Sequence, residues 1–247
     1  MENTDAHWRE WGICDPYRGV LFDDKYNRLC LDQTRADFFA TGHAYIDWLL
    51  QKLRLLYPEL PLQTAVDFGC GVGRLSIPLA GRFQEVIGVD ISPAMLNESR
   101  KNCSVFGISN VKHVLSDDRV SAVPFGVDLI HSYLVLQHIP VKRGLVIVKH
   151  LVERLAPGGA CALHVPVDRD PSHLKKLVYF FKHALPALRY PLNLLQGKRI
   201  NEPLMQINPY PIRAVYDIFE SAGLKDVWLL PLPGSHYSVI CFGRKEL

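Results

Sequence analysis

The residues best suited to bind a ligand form a glycine-rich run, Asp67-Phe68-Gly69-Cys70-Gly71-Val72-Gly73, which overlaps the end of a short apolar segment. Glycines let a backbone turn tightly and approach a ligand without Cβ clashes. If a helix opens at about Gly73, its N-terminal amides face the ligand and favour negative groups. A glycine-rich turn alone is a weak signal, because it also occurs as a plain structural turn.

An acidic residue makes the signal more specific. Asp90 ends a second apolar segment and follows Gly69 by 21 residues. Doubly wound folds place an acid at this point, where its carboxylate binds ribose hydroxyls. We therefore predict that the two segments bind a ligand that contains a nucleoside.

The elements that must position these residues alternate between strands and helices. The predicted strands are Thr64–Phe68, Glu85–Ile91, Val111–Leu115, Val127–Val135, Gly159–Val167, Lys225–Leu230 and Tyr237–Gly243. The predicted helices span 33–56, Gly73–Arg82, 93–106, Val141–Leu155 and Pro211–Ala222. Continuous apolar strands separated by helices indicate an α/β, doubly wound, mostly parallel seven-stranded sheet with helices on both faces. The last two strands are too close for a crossover helix, so the C-terminal strand is expected to be antiparallel.

Residues 1–247 are predicted to form a single domain. Within it, 1–60 is expected to be a helical cap and 168–209 an insertion that covers the substrate. Aromatic residues in both segments are candidates for an acceptor pocket as a set, although for any single one a role in the core is the favoured explanation. They are Trp8, Trp11, Tyr17, Tyr26, Phe38, Phe39, Tyr45, Tyr179, Phe180, Phe181 and Tyr190.

Six short motifs follow one another in an order that resembles the class I superfamily of S-adenosylmethionine (SAM)-dependent methyltransferases. They are Asp-x-Gly-x-Gly-x-Gly at 67–73, Gly-Val-Asp-Ile-Ser at 88–92, Ser-Asp-Asp at 116–118, Phe-Gly-Val-Asp-Leu-Ile at 125–130, Leu-Gln-His-Ile at 136–139 and Leu-x-Pro-Gly-Gly at 155–159. The resemblance is carried by motifs over 62–167 and by topology alone over 210–247.

The resemblance implies SAM as cofactor and a set of residues that bind it. These are Asp67, Gly69, Cys70, Gly71 and Gly73 for the amino-acid part, Asp90 for the ribose, Ile91, Met95, Asp117 and its neighbour Asp118 for the adenine, and Ser132, Tyr133 and Gln137 toward the methionine end. Methyl transfer to oxygen or nitrogen also removes a proton, so a base near the end of the fourth strand is useful. His138 is the candidate, and a histidine that merely caps or packs against the next helix is the alternative.

Other functions are weighed against this one. A nicotinamide dehydrogenase would have a third glycine at position 74, where this chain has Arg74. A methyltransferase acting on RNA or protein stays open, as does a non-catalytic binding protein that keeps the fold. The leading hypothesis is a methyltransferase of a small or medium-sized metabolite, such as a secondary metabolite, glycan or lipid-like acceptor.

Composition limits the partners. The formal charge of +3 gives no concentrated basic face, so no nucleic-acid partner is expected. The six cysteines form no Cys-x-x-Cys pair and no acidic cluster follows the fourth strand, so no metal is predicted. With no apolar run of about 20 residues, no membrane span is expected. We expect a cytoplasmic protein with a small-molecule acceptor, as a monomer or homodimer.

Overall fold

The computed structural model describes residues 4–168, 203, 205–232 and 237–247. The elements are α1 (Thr4–Cys14), α2 (Pro16–Leu21), α3 (Leu31–Leu56), β1 (Thr64–Phe68), α4 (Ser76–Ala80), β2 (Glu85–Asp90), α5 (Pro93–Val105), β3 (Val111–Leu115), β4 (Val127–Ser132), α6 (Val141–Glu153), β5 (Leu155–Pro166), α7 (Ile212–Ser221), β6 (Leu224–Leu232) and β7 (Ser238–Lys245). Short 3₁₀ turns lie at Asp24–Tyr26 and Leu136–His138. Most of the predicted insertion, including Tyr179, Phe180, Phe181 and Tyr190, lies outside the described residues.

The strands form one seven-stranded sheet in the order β3-β2-β1-β4-β5-β7-β6. The pairs from β3 to β5 are parallel, and β7 runs antiparallel to both β5 and β6. The short connection after Leu232 leaves no room for a crossover helix, so β7 folds back beside β6. This topology confirms the predicted fold class. It also differs from the strand order 3-2-1-4-5-6 of dinucleotide-binding dehydrogenases.

Successive side chains along the central strands enter two different cores, because strand residues alternate between the faces of a sheet. In β1, Val66 belongs to a core that α6 and α7 complete, with Phe219 among its buried residues. Ala65 belongs to the opposite core, where α3 contributes Ile46 and Leu49. Helix α3 is therefore one of the layers that cover the sheet.

The other N-terminal helices lie beside that layer. Helices α1 and α2 pack with α3 and α5 in a third cluster that contains Trp11, Tyr17, Tyr26, Phe38 and Phe39. These five aromatic side chains are core residues. The boundary of a helical cap at 1–60 stays a prediction, as does the single domain. No helix in the described ranges is long and apolar enough to cross a membrane.

The predicted helix Gly73–Arg82 is wrong at its beginning. Residues 71–75 form turns, and the helix itself is only Ser76–Ala80. The cause is the backbone of Gly71 and Gly73, whose φ angles of 53° and 86° lie in the left-handed region. Such residues cannot continue a right-handed helix, so the glycine run extends the loop instead.

Asp128 joins the beginnings of β4 and β1, and its removal should destabilise the sheet. Its carboxylate is 7% exposed and accepts hydrogen bonds from the backbone N–H groups of Gln63 and Thr64, both at 2.9 Å. Asp128→Ala leaves two amides without their acceptor and should lower the free energy of unfolding by about 2–3 kcal/mol in urea denaturation. The matched control Asp217→Ala, on an exposed part of α7, should change it by less than about 0.5 kcal/mol. Equal effects of the two substitutions would contradict this role.

Candidate functional site

The glycine-rich loop is fastened to the end of β2 by backbone hydrogen bonds. The N–H groups of Gly69 and Cys70 donate to the carbonyl of Val89 at 2.7 and 3.0 Å. Gly69 has a φ of 79°, and a Cβ at this position would lie 2.2 Å from a side-chain carbon of Val135. Glycine is therefore required here, because it alone allows both this backbone conformation and the close approach to the loop after β4.

Asp90 holds the next part of the loop. One carboxylate oxygen accepts from the N–H of Gly71 at 2.9 Å, and the other accepts from the N–H of Ser92 at 2.8 Å. The hydroxyl of Ser92 in turn accepts from the N–H of Met95 in the first turn of α5. Burial raises the pKa of Asp90 to about 6, although both backbone hydrogen bonds oppose the increase. Each oxygen of the ionised carboxylate retains a lone pair for a further donor.

A cavity opens where β1, β2 and β4 end, which is where open α/β sheets bind ligands. Nine residues predicted from the sequence line it: Asp67, Gly69, Cys70, Gly71, Asp90, Ile91, Met95, Tyr133 and His138. Trp8, a candidate for the acceptor pocket, lines it as well. Sequence reasoning assigned no ligand role to several other residues on its walls, among them Arg74, Ser116, Ile139 and Arg143. The structure thus brings most of the predicted residues into one place. Their individual roles stay predictions.

Five of the predicted site residues do not line this cavity: Gly73, Asp117, Asp118, Ser132 and Gln137. A Cβ on Gly73 would meet the Ser99 hydroxyl, so this glycine fits the loop against α5. The hydroxyl of Ser132 donates to the carbonyl of Phe68 at 3.0 Å and joins the ends of β4 and β1. Gly73 and Ser132 therefore stabilise the loop and the strand ends without lining the cavity.

The two predicted adenine-binding acids bind other parts of the chain. The exposed carboxylate of Asp117 accepts from the N–H groups of Arg119 and Ser121, and those bonds lower its pKa. The carboxylate of Asp118 forms an ion pair with Arg143. At this end of the cavity the wall is formed by Ser116 instead. Adenine binding by either acid stays a prediction.

Asp67 belongs to a buried polar network behind the cavity. Its carboxylate accepts from the hydroxyl of Ser76 at 2.6 Å and from Nδ1 of His131 at 3.1 Å. A carboxylate oxygen only accepts, so Nδ1 carries the hydrogen, and Nε2 forms a hydrogen bond with the hydroxyl of Tyr45 at 3.2 Å. His131 is fully buried in β4, as its position inside a strand indicated. The network fixes Asp67 before any ligand arrives.

His138 lies on the opposite wall and is held in one tautomer. Its Nδ1 donates to the carbonyl of Gln206 at 2.6 Å, which leaves Nε2 to accept from the side-chain amide of Gln137 at 2.9 Å. The ring of Trp8 lies 4.8 Å from the imidazole, centroid to centroid. Burial lowers the pKa of His138 to about 4, so the ring is neutral at physiological pH.

A second buried histidine lies close to His138. His164 in β5 is 3% exposed, and its Nδ1 has no hydrogen-bond partner in the part of the chain that the structure describes. Burial, with added repulsion from His138 and His131, lowers the pKa of His164 to about 4. Among the described residues, no group of three or more His, Cys, Asp and Glu side chains could hold a metal ion. The prediction that no metal is needed stays a prediction.

Helix α1 lies over the cavity and is fastened to its far wall. The guanidinium of Arg143 donates to Asp118 at 2.8 Å and to Asp5 at 3.0 Å. The hydroxyl of Thr4 donates to the backbone carbonyl of His138 at 2.9 Å. Of the N-terminal aromatic residues predicted for the acceptor pocket, Trp8 alone lines this cavity.

Known proteins with sequences similar to this chain are methyltransferases. Residues 65–159 match a family model described as a methyltransferase domain. The trans-aconitate 2-methyltransferase of Deinococcus radiodurans is 34% identical over 48% of this chain and 43% of that protein. The same enzyme of Escherichia fergusonii is 29% identical over 70% of this chain and 62% of that protein. The chain therefore spans less than two thirds of the length of these relatives.

Solved structures support the fold over nearly the whole chain. Magnesium protoporphyrin IX methyltransferase from Synechocystis, solved with bound S-adenosylhomocysteine (SAH), superposes with a TM-score of 0.62. The match covers 96% of this chain and 98% of that one at 20% sequence identity. At this identity the likeness establishes a common fold and no more.

The Arg143 ion pairs should decide how firmly α1 closes the cavity. In Arg143→Ala, both Asp5 and Asp118 lose their partner, and we expect backbone amides of residues 4–14 to exchange hydrogen about 5–30-fold faster, as for a loss of about 1–2 kcal/mol. Hydrogen exchange measured by mass spectrometry gives the rates. The matched control Arg213→Ala breaks only an exposed ion pair with Asp217 on α7 and should leave this peptide unchanged. Unchanged exchange in Arg143→Ala would show that α1 is held by other contacts.

Proposed function

We propose that this chain, which belongs to the class I superfamily of SAM-dependent methyltransferases, transfers a methyl group from SAM to an oxygen or nitrogen of a small or medium-sized acceptor. The observation that carries the proposal is the junction at which Asp90 holds the N–H of Gly71 beside the cavity. A carboxylate and a glycine loop placed in this way suit a nucleoside with a polar tail. The relatives named trans-aconitate 2-methyltransferase favour a small acceptor that carries carboxylates.

The residues on the cavity wall fit SAM. Asp90 would bind the ribose hydroxyls, Ile91 and Met95 would pack against the adenine, and the backbone at Gly69 and Gly71 would hold the amino-acid part. The wall is mostly apolar and carries a few polar groups, which suits a cofactor with an aromatic base and separate polar groups. When bound, SAM supplies a methyl group activated by its sulfonium.

The chain's own contribution is alignment and exclusion of water. The loop, held by β2, and the network behind Asp67 are fixed before binding, so little has to rearrange when the reactants meet. Helix α1 covers the cavity through Trp8 and the Arg143 ion pairs. Such a cover keeps water from competing with the acceptor.

His138 is proposed to be the residue beside the acceptor. Its Nε2 is unprotonated and accepts a hydrogen bond from Gln137, so a hydroxyl or amine that displaced this amide could give its proton to Nε2. The low pKa makes His138 a weak base, and its hydrogen bond to Gln206 compensates by stabilising a charged ring. A carboxylate acceptor has no proton to lose. With such an acceptor, His138 would contribute packing alone, because its unprotonated Nε2 cannot donate to a carboxylate.

Two other functions remain as outcomes of experiment. A methyltransferase of RNA or protein would use the same cofactor site with a larger acceptor. A non-catalytic binding protein would bind SAM or SAH without transferring the methyl group. Binding and turnover must therefore be measured separately.

The affinity for SAH should depend on the ionisation of Asp90. The carboxylate accepts from both ribose hydroxyls only when ionised, so the affinity should be highest above about pH 7 and fall as the pH drops below about 6. Asp90→Asn should weaken binding about 10–100-fold at pH 8 and remove most of this dependence. Titration calorimetry from pH 5 to 8 measures both, with the distant Asp217→Asn as control. A wild-type affinity that is independent of pH and equal to that of Asp90→Asn would disprove the role.

Turnover should depend on His138 in a way that SAH affinity does not. Transfer of a labelled methyl group from SAM is measured for a panel of acceptors that includes trans-aconitate, alcohols and amines. For an alcohol or amine, His138→Ala and His138→Gln should lower kcat about 100–1000-fold, while the Kd for SAH stays within about twofold. Because His138 is already neutral, kcat should not decline between pH 7 and 6.

For a carboxylate acceptor, the same substitutions should raise KM and leave kcat nearly unchanged. The control His150→Gln, on the outer part of α6, should behave as wild type in every assay. Full activity of His138→Ala would remove this residue from the reaction. SAH binding without transfer to any acceptor would support the non-catalytic function instead.

A further inference from the structure

Arg74 is a buried cation that the cofactor contacts described so far do not use. The residue is 4% exposed, and its buried Nε has no hydrogen-bond partner among the described residues. One terminal nitrogen, Nη1, donates to the hydroxyl of Thr41 at 3.3 Å. Within the part of the chain that the structure describes, no carboxylate forms an ion pair with it. A charge buried in this state is unfavourable unless a counter-charge binds to it.

The fold maintains Arg74 in this position. Helix α3 has a glycine at the contact, because a Cβ on Gly42 would lie 3.0 Å from the Cγ of Arg74 and still closer to its backbone carbonyl. The Asp67 carboxylate lies near enough to favour the charged form, but among the described residues its partners are Ser76 and His131, and it forms no ion pair with Arg74. Neither of the neighbouring protein groups, Thr41 and Asp67, therefore supplies the missing anion.

Arg74 also lines the cavity. The groups whose charges act on it include Tyr133, just after β4, Asp67 in β1 and Tyr45 in α3. The wall proposed for the adenine, Ile91 and Met95, belongs to the end of β2 and to α5. The cation is thus placed where the amino-acid part of a nucleoside-linked amino acid would lie.

We propose that the Arg74 guanidinium binds the α-carboxylate of the methionine part of SAM, with Thr41 orienting the guanidinium. This inference rests on the proposed function. A carboxylate of the acceptor is the alternative anion. Its side of the cavity is formed by Trp8, His138 and Ile139, so the methionine carboxylate fits better with the position of Arg74 between α3 and β1.

Titration calorimetry with ligands that have or lack the carboxylate tests the proposal. The probes are SAH, decarboxylated SAH and 5′-methylthioadenosine, which lacks the amino-acid part. Wild-type protein should bind SAH about 10–100-fold more tightly than decarboxylated SAH. Arg74→Gln should lose that factor for SAH and bind the other two within about twofold of wild type. Arg74→Lys should lie between them, because a lysine keeps the charge without the planar fork.

A substitution of Thr41, which leaves the Arg74 side chain in place, keeps the test valid if Arg74→Gln is poorly folded. Thr41→Val should weaken SAH binding about two- to fivefold and leave decarboxylated SAH unaffected. Equal losses for all three ligands would make Arg74 purely structural. Unchanged SAH binding with a raised KM for the acceptor would assign Arg74 to the acceptor instead.

Both of those outcomes overturn the inference but leave the proposed function intact. A wild-type protein that binds none of the three ligands would overturn the proposed function together with the inference. The wild-type comparison of SAH with decarboxylated SAH needs no substitution at all. An equal affinity for these two ligands is sufficient to reject the role of Arg74.

Discussion

The hydrogen bonds that the Asp90 carboxylate accepts from Gly71 and Ser92 are the constraint on which the site depends. They fix three elements against one another: the end of β2, the glycine loop after β1 and the first turn of α5. Holding a carboxylate in this half-enclosed position is unfavourable, which is why its pKa is raised. Donors from a ligand would relieve that cost. The Asp90 side chain therefore both stabilises the loop and is the group proposed to bind the ligand.

The rest of the cavity is arranged around this fastening. Behind it, the chain from Ser76 through Asp67 and His131 to Tyr45 satisfies polar groups that would otherwise be buried alone. Arg74 is the exception, since its Nε has no hydrogen-bond partner among the described residues. The cavity wall thus carries both an acid, Asp90, and a cation that forms no ion pair within the described part of the chain. Such an arrangement favours a ligand with its own separated polar groups.

The parts that the sequence predicts are those coded locally. Continuous apolar strands, a glycine loop and the spacing to Asp90 each depend on neighbours in the chain, and so does the short last connection that makes β7 antiparallel. The order of the strands in the sheet was not predicted. Roles that depend on distant pairing were not predictable. Arg143 forms ion pairs with both Asp5 and Asp118, which are more than a hundred residues apart in the sequence. The carboxylate of Asp117 accepts hydrogen bonds from backbone N–H groups of its own loop. The prediction that a helix begins at Gly73 was wrong because the spacing of glycines in a sequence does not indicate their φ angles.

A crystal structure of the protein with SAH tests the central claim most directly. The account predicts that the ligand lies across the carboxyl ends of β1 and β2, with both ribose hydroxyl oxygens within hydrogen-bond distance of the carboxylate of Asp90. Density for SAH at another place, or in this cavity with the sugar turned away from Asp90, would contradict it.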